Sequence, residues 1–161
     1  MAMALQPLTP SKGNSSSTFD YDVVIVGGNI TGLTLAVTLQ QSNLRVAIAE
    51  ATPLAVAASR DRAYAISVFS GRIFEGLGVW DDILPKIGKF RHIQLSDGDF
   101  PQVVAFETED INSDYVGYAA EHYVLHNALC QQLEKGGKVE WFCPATVETI
   151  QYHDAGVTVT L

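Results

Sequence analysis

Gly27, Gly32 and Glu50 stand at the spacing that phosphate and ribose binding requires. Gly27 and Gly32 hold the first and third glycine places of a G-x-G-x-x-G turn, with Gly28, Asn29, Ile30 and Thr31 between them, and Glu50 follows about 20 residues on. Phosphate oxygens need donors and positive potential, which the unpaired N–H groups of a helix's first turn supply at the positive end of its dipole. In such a turn the first glycine makes the bend, the second lets a diphosphate approach the backbone, and the third lets helix and strand pack closely. A carboxylate at the end of the next strand accepts hydrogen bonds from ribose hydroxyls. The second glycine place holds Asn29. Asparagine tolerates positive φ, so the turn itself should survive. Its side chain would fill space that a diphosphate needs, and weakened or displaced binding is expected.

These residues need a strand, a helix and a second strand to position them. Val23–Val26 is an unbroken apolar run between Asp22 and Gly27-Gly28, the pattern of a strand buried on both faces of a parallel sheet. Ile30, Leu33 and Val37 then share one helical face, and Arg45 to Glu50 returns to alternation. Tyr21 to Glu50 is thus a βαβ unit of the dinucleotide-binding kind, and the expected fold class is α/β with a Rossmann-like parallel sheet.

The chain has 161 residues, 47 % of them hydrophobic and 17 % charged, enough for one or two domains with a packed core. Its net charge of −8 argues against a nucleic-acid partner, because neutralising phosphates needs clustered Lys and Arg. Between Arg91 and Lys135 there is neither, while Asp97, Asp99, Glu107, Glu109, Asp110, Asp114, Glu121 and Glu134 fall there, reading as a solvated acidic face. Cys130 and Cys143 form no C-x-x-C pair and read as reduced, partly buried thiols of a cytoplasmic protein. Residues 1–19 read as a disordered tail, without the apolar core of a secretory signal.

Ala51 to Ser59 reads as a loop over the ligand cleft, and Arg60-Asp61-Arg62 as a solvated turn with an Asp–Arg pair; the other reading takes Arg62 to a diphosphate, which a planar guanidinium can grip bidentately. Ser67 to Leu77 is expected to be a packing helix capped by Ser67 or Ser70. Residues 91–96, 102–106 and 116–120 read as strands. A helix over His122 to Lys135 carries Leu125, Leu129 and Leu133 on one face and stops at Gly136-Gly137. His122 and His126 lie one turn apart on it, and with no third ligand nearby they read as core or surface histidines with no metal. Val139 to Cys143 is the next sheet strand, and Val147 to Tyr152 with Val157 to Leu161 begin a β-meander.

With these residues laid out, the chain resembles, over about residues 20 to 161, the N-terminal part of the ubiquinone-biosynthesis hydroxylase family of FAD-dependent aromatic monooxygenases, the group typified by 2-octaprenyl-6-methoxyphenol hydroxylase. Three segments carry the likeness: VVIVGGNITGL with Glu50; Asp61 to Ser67 with the run Ser70 to Trp80; and Gly117 to Leu125. The resemblance implies FAD as cofactor and Arg62 as a flavin-contacting arginine. It implies NAD(P)H as co-substrate, O2 as oxidant and an aromatic or prenylated phenol as substrate. It also implies peripheral membrane contact where the substrate is prenylated, and a partial substrate-side β insertion at about residues 91–120. Asn29 and Tyr123 depart from the family's glycine and arginine, and the family's second flavin motif is not in the chain. The fold expected is therefore incomplete relative to the family, and the chain alone is expected not to hydroxylate, since half a site cannot keep water from the reactive flavin; a second chain could complete it. Two other readings stay open: an NAD-dependent dehydrogenase domain, since Glu50 suits any adenosine ribose, and a degenerate Rossmann-like module acting through protein contacts.

Overall fold

The computed structural model of the chain describes residues 19–99 and 101–161. The elements are β1 (Val23–Val26), α1 (Ile30–Leu39), β2 (Val46–Ala49), α2 (Leu54–Ala58), β3 (Ala63–Ser67), α3 (Val68–Gly76), α4 (Trp80–Ile83), a 3-10 turn (Leu84–Lys86) and β4 (Gly88–Phe90). There follow β5 (His92–Ser96), β6 (Val103–Glu107), α5 (Thr108–Ile111), β7 (Gly117–Glu121), α6 (His122–Gly136), β8 (Val139–Phe142), β9 (Thr149–His153) and β10 (Gly156–Thr160). Of the tail expected at residues 1–19, residues 1–18 lie outside the described residues, and the carbonyl of Phe19 accepts from the Arg45 guanidinium at 2.6 Å.

The apolar runs dictate the sheet. β2 is buried along its whole length because it lies between β1 and β8, parallel to both, in the registers Val23↔Val46 and Val46↔Val139. Full burial of Val46 and Ile48 contributes roughly 1.5–3 kcal/mol each. At the start of the unit the Asp22 carboxylate receives the Arg45 backbone N–H at 2.8 Å and its guanidinium at 2.9 and 3.2 Å, tying the first ends of β1 and β2 together.

One face of this sheet is covered by α1, which packs on α6. Leu33, Ala36 and Val37 meet the core that Leu125, Leu129 and Leu133 enter from α6, as their four-residue recurrence requires. Gly137, at φ 61°, takes the left-handed conformation that ends α6 and donates to the Leu133 carbonyl at 3.0 Å. Outside the parallel sheet, β3, β7 and β4 form an antiparallel sheet in the order β3-β7-β4, while β5–β6 and β9–β10 are separate antiparallel pairs. Ser67 caps α3 by accepting from the Ser70 N–H at 3.1 Å.

Two expectations are corrected. Residues 54–58 of the expected loop are the short helix α2: Pro53 starts it with φ −50°, and Leu, Ala and Val follow with nothing to break the turn. The Asp61–Arg pair does not form; among the described residues the ion pair is Asp22–Arg45. No helix among them is long and apolar enough to cross a membrane.

Candidate functional site

Gly27 leaves the tip of β1 with φ +102° and donates its N–H to Ala49 of β2 at 2.8 Å, so the turn opens against the end of the neighbouring strand. Gly32, in the first turn of α1, faces back on it: a Cβ there would overlap the Gly27 carbonyl oxygen and come within 3.3 Å of Ile25 Cγ2. Only glycine lets α1 start this close to β1. Gly28 is also confined, since a Cβ there would stand 3.0 Å from the Trp141 ring and 3.2 Å from Glu50 Cβ. Trp141, which sequence reasoning did not connect with the site, is thus the floor of the turn; only the β2–β8 register, set far along the chain, brings it there.

Asn29 is not in the positive-φ region. Its backbone is extended, with φ −87° and ψ −179°, and it caps α1. Gly27 alone supplies the positive φ that the bend needs, which relieves position 29. The Asn29 side-chain oxygen accepts from the Ile30 N–H at 2.8 Å, and its carbonyl accepts from Leu33 at 2.8 Å. Asn29 therefore occupies one of the helix donors that a phosphate would use, whereas the Thr31 and Gly32 N–H groups have no hydrogen-bond partner among the described residues.

Glu50 closes the turn from the other side. It is 6 % exposed, and its two carboxylate oxygens accept from Gly28 N–H at 2.7 Å and Thr52 N–H at 2.8 Å. Burial alone would raise this carboxyl; the N–H groups of Thr52 and Gly28, the Thr52 hydroxyl and the charge of Arg60 outweigh it and hold Glu50 below the usual carboxylate range. Its backbone is fixed as well, the N–H donating to Phe142 and the carbonyl accepting from Ala145. The sequence-predicted residues Gly27, Gly28, Asn29, Ile30, Thr31, Gly32 and Glu50 are accordingly assembled in one place.

Arg62 stands just before β3, exposed, with its carbonyl accepting from His122 N–H at 2.7 Å. Its guanidinium has no hydrogen bond or ion pair among the described residues, but the charge that acts on Glu50 is that of half-buried Arg60. Sequence reasoning left Arg60 in a solvated turn. The Arg62 N–H donates to the Arg60 carbonyl at 2.9 Å, so the chain turns tightly between the two arginines, which their spacing alone did not show.

Behind the turn lies a buried histidine pair. His122 is fully buried; its Nε2 lies 2.9 Å from the Ala57 carbonyl and its Nδ1 3.0 Å from the Tyr64 hydroxyl. A carbonyl only accepts, so Nε2 carries the proton and Nδ1 receives the hydrogen of Tyr64. Burial lowers the pKa of both His122 and His126, keeping the rings neutral. This linkage joins α2, β3 and α6, and Tyr64→Phe should cost about 1–2 kcal/mol by leaving Nδ1 without a donor. Urea unfolding with an unchanged slope and a lowered midpoint would register it; an unmoved midpoint would show that solvent replaces the hydroxyl.

Residues 20–161 match the family model for the FAD-binding domain. The chain belongs to the FAD-binding domain family. Slr1300, an uncharacterised protein of Synechocystis, is 41 % identical over 141 residues, which make up 88 % of this chain and 34 % of that protein. The 3-demethoxyubiquinol 3-hydroxylase of Escherichia coli is 32 % identical over 138 residues, covering 83 % of this chain and 35 % of the hydroxylase. The flavin-dependent monooxygenase PieE, solved with FAD and substrate, superposes on 86 % of this chain and 26 % of its own with a TM-score of 0.67 at 19 % identity, which shows the shared fold. This FAD-binding domain therefore spans about a third of the length of the curated relatives it matches.

The domain's residues fit the group its family binds. Gly32 lets the first turn of α1 start directly against the Gly27 carbonyl, two first-turn N–H groups have no hydrogen-bond partner among the described residues, and an ionised acid stands beside the turn. Against that fit stands the Asn29 cap.

Proposed function

We propose that this chain is the N-terminal FAD-binding portion of a flavin-dependent monooxygenase that hydroxylates an aromatic quinone precursor, with NAD(P)H as co-substrate. The observation that carries it is the Glu50 carboxylate held ionised against the Gly28 turn at the open N-terminus of α1, in a chain of the FAD-binding domain family. Two relatives named for ubiquinone-pathway hydroxylation, the Escherichia coli enzyme and ubiquinone hydroxylase UbiL of Rhodospirillum rubrum, support the substrate class.

When bound, FAD supplies the redox chemistry. The Thr31 and Gly32 N–H groups would donate to its diphosphate, and Arg62, reaching from the start of β3, would pair with the same charge. Each Glu50 oxygen has a lone pair beyond the one its backbone donor uses, so it can accept from ribose hydroxyls without releasing Gly28 or Thr52. Residues 91–120, with the β5–β6 pair, would form the substrate-side insertion, and the remaining walls that keep water from the flavin would come from polypeptide beyond this chain. A prenylated phenol would bring the enzyme to a bilayer surface.

The test is FAD titration of the 161-residue chain and of Asn29→Gly, followed by flavin fluorescence. Freeing the Ile30 N–H should tighten binding about tenfold, one charge-assisted hydrogen bond, while loss of the cap to glycine costs only a few tenths of a kcal/mol of stability. No binding by either protein would sink the FAD assignment, and saturable NADH binding in its place would favour a dehydrogenase domain.

A further inference from the structure

His122 holds both ends of one short segment. Its ring Nε2–H donates to the Ala57 carbonyl at 2.9 Å, and its backbone N–H donates to the Arg62 carbonyl at 2.7 Å. Residues 57–62, between these two points, carry Arg60 and Arg62. Their other hydrogen bonds are local, from Ala57 to Pro53, from Ser59 to Val56 and from the Arg62 N–H to the Arg60 carbonyl. Among the described residues, every long-range hydrogen bond of residues 57–62 therefore comes from His122.

The clamp is itself fixed. The ring is fully buried, and its Nδ1 accepts from the Tyr64 hydroxyl of β3 at 3.0 Å. The backbone bond also satisfies a first-turn donor of α6 that the helix cannot pair internally. At its other end the segment is rooted at the glycine turn: α2 begins just after Thr52, whose N–H donates to the Glu50 carboxylate at 2.8 Å. An exposed arginine grips an anion at full strength only when its backbone is ordered beforehand, since ordering a loop on binding subtracts from affinity.

We propose that His122 is a positioning residue of the cofactor site that acts through Arg62: it pins residues 57–62 at both ends, so that the Arg62 guanidinium works from a fixed root. This rests on the FAD reading above. The two ring nitrogens allow the clamp to be separated from packing. Asparagine reaches only the Nδ1 position, so it can keep the Tyr64 hydroxyl and must release Ala57. Glutamine reaches the Nε2 position, so it can keep the Ala57 carbonyl and must release Tyr64. Each gives up one hydrogen bond, but only asparagine opens the clamp.

The experiment measures ligand-free trypsin cleavage after Arg60 or Arg62 in the 161-residue chain, His122→Asn and His122→Gln. It also measures FAD affinity for these proteins, for Arg62→Ala and for Arg62→Ala combined with His122→Asn. His122→Asn should be cleaved about tenfold faster than the wild type under native conditions and bind FAD about fivefold more weakly. His122→Gln should stay within about twofold of the wild type in both. Arg62→Ala should bind about tenfold more weakly, and adding His122→Asn to it should change affinity by less than about twofold, because the residue it acts through is gone. A loss in His122→Asn that persists in the Arg62→Ala background overturns the proposal, as does an equal loss in His122→Gln, because packing would then account for it. Rapid cleavage of the wild type at these arginines also overturns it, and that result needs no variant to fold. Equal affinity of His122→Asn and wild type overturns the proposal and leaves the FAD reading standing, whereas a wild type that binds no FAD brings down both.

Discussion

Gly32→Ala should lower folding stability by about 3 kcal/mol and abolish FAD binding, the largest effect expected of any single methyl group in this chain. The added Cβ would overlap the Gly27 carbonyl oxygen, and that oxygen cannot swing aside as the end of a flexible side chain could. It belongs to a backbone held at φ +102° and tied through its N–H to Ala49. Relief must come from tilting α1 away from β1, which opens the contacts of Leu33, Ala36 and Val37 with the core. Gly76→Ala is the control: it lies at the end of α3 with open space around it, and alanine there should be neutral or stabilising by about 0.5 kcal/mol. Urea unfolding and flavin titration of the two variants make the comparison. Equal behaviour of both would mean that the approach of helix to turn is looser than described.

The second large effect belongs to Glu50. Glutamine is nearly the same size, but it has one acceptor oxygen and one N–H2 group, so one of the two backbone N–H groups at 2.7 and 2.8 Å must meet a donor. Glu50→Gln should destabilise the chain by about 2–3 kcal/mol at neutral pH and weaken FAD binding at least about tenfold. The pH dependence follows from the lowered carboxyl. Because its folded pKa lies below its unfolded one, the carboxylate's contribution is complete above the ordinary carboxylate range and is lost as pH falls through the folded value. Wild-type stability should therefore drop more steeply in acid than that of Glu50→Gln, which keeps the acid-sensitive Asp22–Arg45 pair, and the gap between the two curves should close there. Parallel curves would mean that Glu50 does not carry the charge that holds the turn.

Much of this site was legible because its information is local. Val23–Val26 reads as a strand by its unbroken apolar run and is one, though as the edge strand of its sheet it buries only Ile25 and leaves Val26 54 % exposed; Gly32 had to approach a neighbour by its place in the turn, and Glu50 follows β2, whose four residues are all buried rather than alternating. What could not be read depends on residues far apart in sequence. Trp141 lies under Gly28 only because β8 pairs with β2; Arg60 acts on Glu50 only because α2 and β3 turn the chain back; the His122 ring is satisfied by Ala57 and Tyr64 from two other elements. α2 was missed for a smaller reason: five residues are too few to show a helical period, and the proline before them reads as a break as readily as a start. Asn29 was expected to need positive φ because the motif places a glycine there, but Gly27 makes the bend alone.

The pairing of Val46 with Val139 also sets an order of events during synthesis. β2 leaves the ribosome with β1 and α1, yet the strand that covers its second edge comes roughly ninety residues later, about 5–20 s at ordinary elongation rates. For that interval Val46, Ala47, Ile48 and Ala49 present an apolar strand edge to solvent, with β1 on one side and nothing on the other. The cofactor turn is subject to the same delay, since its floor is Trp141, a residue of that late strand. FAD therefore meets a finished turn only after β8 has docked, and a nascent chain stalled earlier should be a client for chaperones rather than for flavin.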